Sequence, residues 1–309
     1  MDSYDVAIVG GGPAGLSGAV TLGRARRSVV VVDGREPRNA PATGIHGFLT
    51  RDGMPPQDFL ATGREEARHY GATFVDSLVV GASGGAGEGF VLELAGGGGL
   101  RARRLLITTG LVDALPDVPG VRELWGGDVV HCPYCHGWEI RGRPIGVLGS
   151  SPMAVHQGLL FSQWSDDVIL FTHTAPPLED EQRAELAAGG VVVIDAKVES
   201  LEIDGGGRLA GVRLADGDLV PRGAVAVAPR FVARSELAAS LGVEVADHPM
   251  GVGSHLATID PTGRTAVPGV WVAGNVADLF AQVVSSAAAG VMAAAAVNYD
   301  LILADVRAR

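Results

Sequence analysis

Cysteine is scarce in this chain of 309 residues, which has only two. Both lie in the stretch HCPYCHGWE, from His131 to Glu139, with two residues between them. Two cysteines are too few for the disulfide framework of a small secreted scaffold, so that class of protein is excluded. A pair at this spacing can instead bind a metal, attach a haem or exchange electrons as a disulfide.

Lysine is almost absent too, because Lys197 is the only one among 24 basic residues. The net charge is -11 and no basic cluster is present, which argues against a nucleic-acid partner. No apolar run reaches the roughly 20 residues of a membrane span. The start, MDSYDVAIVGGG, lacks the positive charge of a signal peptide. We therefore expect a cytoplasmic protein with no membrane partner.

Glycine, by contrast, is abundant: the chain has 45 glycines beside an apolar fraction of 47%. This combination is typical of a tightly turned α/β protein rather than a disordered one. The length is sufficient for two domains, each with its own core.

The N-terminal segment carries the strongest motif. An apolar run, Val6 to Val9, precedes Gly10, Gly12 and Gly15, which form G-x-G-x-x-G. In a dinucleotide-binding fold the first glycine makes a tight turn, the second lets the backbone approach a pyrophosphate, and the third lets the helix pack close to the strand.

The flanking residues complete this pattern. The helix that follows begins near Pro13 and Ala14, and its N-terminus would face the phosphates. A second apolar run, Val29 to Val32, ends at Asp33, where an acid can accept a ribose hydroxyl. Strand, turn, helix, strand and acid together predict a cofactor site, which a glycine motif alone would not.

A second strand-turn-helix-strand pattern lies in the middle of the chain. Its turn, residues 149–154, has Ser151 where the middle glycine would stand. The strand Val168 to Phe171 is followed by Thr172, His173 and Thr174, so it lacks both the acid that holds a 2′-hydroxyl and the arginine that holds a 2′-phosphate. The pattern predicts a dinucleotide-type fold and argues against NADPH as its ligand.

The C-terminal part has the features of a cofactor domain again. A strand over Gly269–Ala273 leads to the polar turn Gly274-Asn275, and a helix of small residues runs from about Gln282 to Leu303. The start of this helix, Gln282 and Val283, could face a flavin ring. Earlier in the chain, Thr109-Gly110 follows a similar strand and would close the first domain.

The chain resembles the low-molecular-weight thioredoxin reductases in the order of its motifs. These are G-x-G-x-x-G, T-T-G, C-x-x-C, a second glycine turn and PGVWVAGN. CPYCHGWE is similar, more closely, to their dithiol-oxidase relatives, which close disulfides in small molecules such as holomycin and gliotoxin. The resemblance covers essentially the whole chain. It implies an α/β protein with two Rossmann-like domains, one inserted in the other: residues 1–113 and 245–309 would bind FAD, and residues 114–244 would carry the cysteine pair. It also implies a homodimer.

The resemblance assigns roles to the residues of the pair. Cys135 corresponds to the cysteine next to the flavin, and Cys132 to the one that exchanges with substrate. His136 replaces the family's aspartate and is the candidate base, with His131 as the second candidate. Asn275 stands where the family's aspartate holds the ribityl chain, and an amide there can still bond a hydroxyl.

The resemblance implies an FAD-dependent enzyme that oxidises a small-molecule dithiol with oxygen as acceptor. The alternative is an NADPH-dependent thioredoxin reductase with thioredoxin as its partner, and a more remote one is a non-catalytic flavin-binding protein. For the cysteine pair, a haem site is disfavoured because it would need export. Zinc is disfavoured because a second cysteine pair is missing, and inert thiols are disfavoured because the flavin motifs surround the pair.

Overall fold

The computed structural model describes all 309 residues and divides into two compact units. The first comprises residues 1–40, 55–113 and 231–309, and the second residues 41–54 and 114–230. The predicted fold class, with one α/β unit inserted in the other, is confirmed. The chain returns to the first unit at residue 231, before the predicted boundary at 245, because the strand Arg230–Ala233 pairs with Gly253–Leu256. The short segment 41–54 joins the second unit, which the sequence did not indicate.

The first unit is built on a sheet with a buried parallel centre. Its elements in chain order are β1 (Ser3–Val9), α1 (Pro13–Arg24), β2 (Val29–Asp33), α2 (Pro56–His69), β3 (Thr73–Asp76), β4 (Val79–Gly85), β5 (Gly89–Leu94), β6 (Gly99–Ile107) and β7 (Leu111–Ala114). β1 lies between β2 and β6 and pairs parallel with both. The apolar runs of β1 and β2 are continuous because both faces of these strands are covered.

The second unit is built on a five-stranded parallel sheet in the order β11-β10-β9-β15-β8. Its elements are β8 (Val129–Val130), α3 (Pro133–Ile140), β9 (Ile145–Leu148), α4 (Ala154–Phe161), β10 (Val168–Phe171), α5 (Asp180–Ala188), β11 (Val191–Ile194), β12 (Val198–Ile203), β13 (Leu209–Leu214), β14 (Leu219–Val220) and β15 (Ala224–Val227). The cysteine pair directly follows β8, at the carboxyl edge of the parallel strands. Ligand sites of open α/β sheets are usually found at this edge.

The last part of the chain completes the first unit. Its elements are β16 (Arg230–Ala233), α6 (Glu236–Ser240), β17 (Val245–Asp247), β18 (Gly253–Leu256), β19 (Val270–Val272) and α7 (Val283–Arg307). β19 pairs parallel with β6 and thereby adds to the sheet of β1. The strand and the helix predicted for this region are both present, and the helix extends beyond the predicted end to Arg307.

Helix α7 corrects one expectation, because it is long and apolar enough to cross a membrane by length and composition. The segment contains no long run of large apolar residues, because the helix owes its hydropathy to alanine and valine interrupted by single polar residues. Ala293, Ala294, Val297 and Leu301 are fully buried within the core of the first unit. An added Cβ on Gly290 would lie 2.0 Å from the carbonyl oxygen of Ala14, so α7 packs directly on α1. One face of the helix is therefore packed in the core of this unit, and its other face, with Val291 and Met292, is exposed.

Candidate active site

The predicted glycine turn lies between β1 and α1 and has the expected geometry. Gly10 has φ +108°, and a Cβ there would lie 2.4 Å from the carbonyl oxygen of Thr108. A Cβ on Gly15 would lie 2.0 Å from the carbonyl oxygen of Gly10. Gly12 differs, since nothing lies within 4 Å of its added Cβ. Two glycines are thus required by the fold, and the middle one borders open space.

Helix α1 begins at the open side of this turn. Gly12 is its N-cap residue, no side chain caps it, and Pro13 occupies a first-turn position. The first N–H groups of a helix have no partners within the helix, and they lie at the positive end of its dipole. This arrangement can bind the phosphates of a dinucleotide.

Asp33 lies at the end of β2, directly beside the turn. A Cβ on Gly11 would lie 2.5 Å from its Oδ2 atom. The same oxygen accepts a 2.7 Å hydrogen bond from the buried guanidinium of Arg64, which also donates to Asp76 on β3. Because this ion pair uses Oδ2, Oδ1 is the atom suited to accept a ribose hydroxyl. Arg64 was missed in the sequence because nothing local connects α2 with the end of β2.

The structure brings Gly274 to the same turn. Gly274 has φ +77°, and its added Cβ would lie 3.0 Å from the Cβ atom of Ala14 at the start of α1. Gln282, the predicted start of this helix, is the N-cap residue of α7, which begins one residue later at Val283. Thr109 donates its hydroxyl to the carbonyl of Arg234, so this proton is already engaged. Gly110, with φ +72°, has nothing within 4 Å of its added Cβ.

Asn275 is held by hydrogen bonds within the first unit. Its Nδ2 atom donates to the carbonyls of Ala281 at 2.8 Å and Asp278 at 3.1 Å. Its Oδ1 atom accepts from Arg38, which also forms a two-bond ion pair with Asp113. The amide therefore braces the loop before α7, a role that an aspartate could not fill because a carboxylate has no proton to donate.

An Asn275→Asp variant should therefore be less stable. It would lose both donor bonds and place a carboxylate against carbonyl oxygens, which should lower the free energy of unfolding by about 1–3 kcal/mol. Urea unfolding measures this directly. The matched control is Asn298→Asp, because the Oδ1 atom of Asn298 accepts a bond from Arg27 and a carboxylate keeps that bond. Equal stability of the two variants would contradict the bracing role.

The cysteine pair spans the first turn of α3. Cys132 is the N-cap residue, and its carbonyl accepts the backbone N–H groups of Cys135 at 3.2 Å and His136 at 3.1 Å. Both cysteine side chains are partly exposed. The positive end of a helix dipole stabilises a thiolate at this position, which is the nucleophilic form of cysteine.

His136 lies on the turn that follows Cys135, and its imidazole is buried. Neither ring nitrogen has a hydrogen-bond partner within the protein. Burial lowers the pKa of His136 below its ordinary value, and the neighbouring charge of Glu139 opposes this shift only in part. The ring is therefore neutral near neutral pH and able to accept a proton.

Several residues that the sequence did not single out hold this helix in place. A Cβ on Gly137 would lie 2.7 Å from the ring of Trp164, so only glycine fits where α3 crosses that indole. The buried side chain of Gln157 donates to the carbonyl of His131 at 3.1 Å and fixes the chain just before Cys132. On the outer face, Tyr134 is 66% exposed and flanks the cysteines.

The second glycine turn, between β9 and α4, is engaged in internal contacts. The Oγ atom of Ser151 accepts the backbone N–H of Met153 at 3.3 Å. At the end of β10, His173 has φ +45°, and its Nδ1 atom accepts the backbone N–H of Val198 at 3.1 Å. His173 stands where an arginine would bind a 2′-phosphate, and its imidazole instead accepts a bond from the first residue of β12.

Comparisons with known proteins agree with these features. The family model for pyridine nucleotide-disulphide oxidoreductases matches residues 4–294. Thioredoxin reductase sirT of Leptosphaeria maculans is 30% identical, over 99% of this chain and 97% of that protein. The crystal structure of HlmI superposes with a TM-score of 0.92 at 47% identity, over 99% of this chain and 95% of that one. An oxidoreductase from Agrobacterium tumefaciens superposes with a TM-score of 0.90 at 36% identity, over 98% and 99% of the two chains.

The predicted resemblance to the thioredoxin reductases and their dithiol-oxidase relatives is confirmed by these comparisons. The family match covers both units, since it starts in β1 and ends within α7. This chain accordingly belongs to the pyridine nucleotide-disulphide oxidoreductase family, as a thioredoxin reductase-like oxidoreductase.

Proposed function

We propose that this enzyme oxidises a small-molecule dithiol to an intramolecular disulfide through Cys132 and Cys135, with oxygen as the final electron acceptor. The observation that carries the proposal is the buried, unpartnered imidazole of His136 directly after the pair. Oxidation of a dithiol releases protons, and a neutral imidazole beside the reacting sulfurs can accept one. His131 stays the second candidate for this role.

Family membership implies a flavin, and the first unit fits FAD. The space beside Gly12 and the uncapped start of α1 suit a pyrophosphate, and Oδ1 of Asp33 suits the ribose. The turns at Gly110 and Gly274, with Gln282 and Val283 at the start of α7, are the candidates for the rest of the cofactor. When bound, FAD supplies the acceptor for two electrons from the cysteine pair and their onward transfer to oxygen.

The exchange steps belong to the protein. A substrate thiolate attacks the sulfur of Cys132 in the enzyme disulfide, and Cys135 leaves as a thiolate. His136 then takes the proton of the second substrate thiol. The new thiolate attacks the substrate sulfur of the mixed disulfide, so the substrate disulfide closes and Cys132 leaves.

The substrate loses two electrons and two protons in this sequence, and the cysteine pair gains the two electrons. Reduction of one oxygen molecule to hydrogen peroxide consumes the same two electrons and two protons, so the reaction balances without another reductant. The homodimer and the cytoplasmic location inferred from the sequence stay predictions.

The second candidate is an NADPH-dependent thioredoxin reductase, which the names of the curated relatives favour. It would require a site for the 2′-phosphate after β10, where His173 caps a neighbouring strand instead. The loss of one charged contact to such a group costs about 1.5–3 kcal/mol. That is a roughly 10- to 100-fold loss of affinity.

Steady-state oxygen uptake separates the two candidates. With a panel of cyclic and acyclic dithiols, the purified protein should consume oxygen and form an equal amount of peroxide. With NADPH and thioredoxin it should oxidise NADPH slowly or not at all. Fast NADPH oxidation that depends on thioredoxin, without dithiol-driven oxygen uptake, would establish the reductase instead.

A further inference from the structure

The segment 41–54, which joins the second unit, forms a loop closed by its own hydrogen bonds. The backbone N–H of Ile45 donates to the carbonyl of Met54, and that of Gly53 donates to the carbonyl of Ile45, both at 2.8 Å. Near its tip, the N–H of Gly47 donates to the carboxylate of Asp52 at 3.0 Å. Because Ile45 is buried, the loop has a fixed position from which it presents His46.

The imidazole of His46 lies between two carboxylates. Its Nδ1 atom is 3.4 Å from Oδ1 of Asp52 on the same loop, and its Nε2 atom is 3.5 Å from Oε1 of Glu139 on α3. The side chains of His46, Glu139 and Asp52 are 22%, 38% and 68% exposed, respectively. The three groups thus lead from the helix of the cysteine pair outward to solvent.

His136 lies at the inner end of this series of side chains, next to Glu139 on α3. Glu139 follows it by three residues on α3, a spacing that places both side chains on neighbouring positions of the helix surface. The charges that act on the imidazole of His136 are those of Glu139 and His46, and the backbone of Cys132 also raises its pKa. The backbone N–H of His136 donates to the carbonyl of Cys132 at 3.1 Å. Neither ring nitrogen is hydrogen-bonded to another side chain, so a proton on the imidazole can leave only by way of nearby groups, of which Glu139 carries the opposite charge.

We propose that Glu139, His46 and Asp52 are positioning residues that form a proton path from His136 to solvent. The proposal rests on the proposed function. The substrate S–H bond breaks as an N–H bond forms on His136, and the proton then passes outward along the carboxylates and the second imidazole. His136 becomes neutral again for the next turnover.

Two variants test the path by shifting the titration of His136 in opposite directions. The negative charge of Glu139 raises the pKa of His136 and the charge of His46 lowers it. Glu139→Gln should therefore move the acid limb of the reaction's pH profile to lower pH, and His46→Gln should move it to higher pH. Maximal turnover should fall on the order of tenfold in each variant, less than the ~10²–10⁴-fold loss of a general base itself.

The rate to measure is steady-state oxygen uptake with dithiothreitol across a range of pH, because His136 must lose its proton once in every turnover. Nuclear magnetic resonance titration of His136 in the same holoproteins accompanies it. His156→Gln is the matched control, because this histidine is exposed on α4. Asp52→Asn, at the exposed end of the path, should slow turnover without loss of stability. Titration of His136 unchanged in both Gln variants would overturn the path. If the wild-type flavin is not reduced by dithiols, the proposed function fails, and the resonance titration still decides whether the groups are coupled.

Discussion

Replacement of Cys135 by serine should reduce dithiol oxidation to the uncatalysed background and leave Cys132 able only to form a stable mixed disulfide by exchange with an added disulfide reagent. Neither single-cysteine variant can close the internal disulfide, so turnover should be lost in Cys132→Ser as well. The two differ in what they trap. When the reduced wild-type protein reacts with an aryl disulfide, Cys132 should release one aryl thiolate and Cys135 a second, leaving no adduct. Cys135→Ser should release only one and keep the aryl group, which intact mass detects.

The double variant, Cys132→Ser with Cys135→Ser, is the control, because the chain contains no other cysteine. It should release no aryl thiolate above background. If Cys132→Ser captured the aryl group faster than Cys135→Ser, the assignment of Cys132 as the exchanging sulfur would be reversed. If either single variant retained turnover, the pair would not be the redox centre.

Replacement of Gly12 by leucine should remove the flavin from an otherwise folded protein. Nothing in the protein lies within 4 Å of an added Cβ at this position, so a side chain can begin there without a clash with the fold. It would instead fill the space assigned to the pyrophosphate, where only a glycine lets the backbone approach. Flavin absorbance per protein should fall to near zero, while the circular dichroism of the protein is retained.

Gly87→Leu is the matched control, because Gly87 is exposed in a hairpin turn of the same unit and also has open space around its added Cβ. It should bind flavin like the wild type. Full flavin content in Gly12→Leu would show that the cofactor does not lie against this turn.

The sequence was sufficient to predict local structure wherever neighbouring residues determine it. The turn at Gly10 and Gly15 was predictable because the close contacts of both glycines follow from a strand-turn-helix unit. The start of α7 at Val283 and the cysteine pair before a turn were predictable for the same reason.

The contacts between distant segments were not predictable from the sequence. Arg64 reaches Asp33 from another helix, and His46 reaches Glu139 from a loop more than 90 residues earlier in the chain. The bracing role of Asn275 was also not predictable. It depends on the carbonyl groups of Asp278 and Ala281, which point toward the amide only in the folded loop. The partner of a charged or amide residue cannot be predicted from the sequence when that partner lies far away along the chain.

Anaerobic mixing of the oxidised holoprotein with a dithiol, followed by admission of oxygen, tests the central claim most directly. Up to two equivalents of dithiol should remove the flavin absorbance, because the cysteine disulfide and the flavin each accept two electrons. Oxygen should restore the absorbance and form one peroxide for each dithiol oxidised. An equal amount of NADPH should reduce the flavin far more slowly, given the missing charged contact after β10. Rapid loss of flavin absorbance with NADPH, together with none from any dithiol, would show that the protein is not a dithiol oxidase.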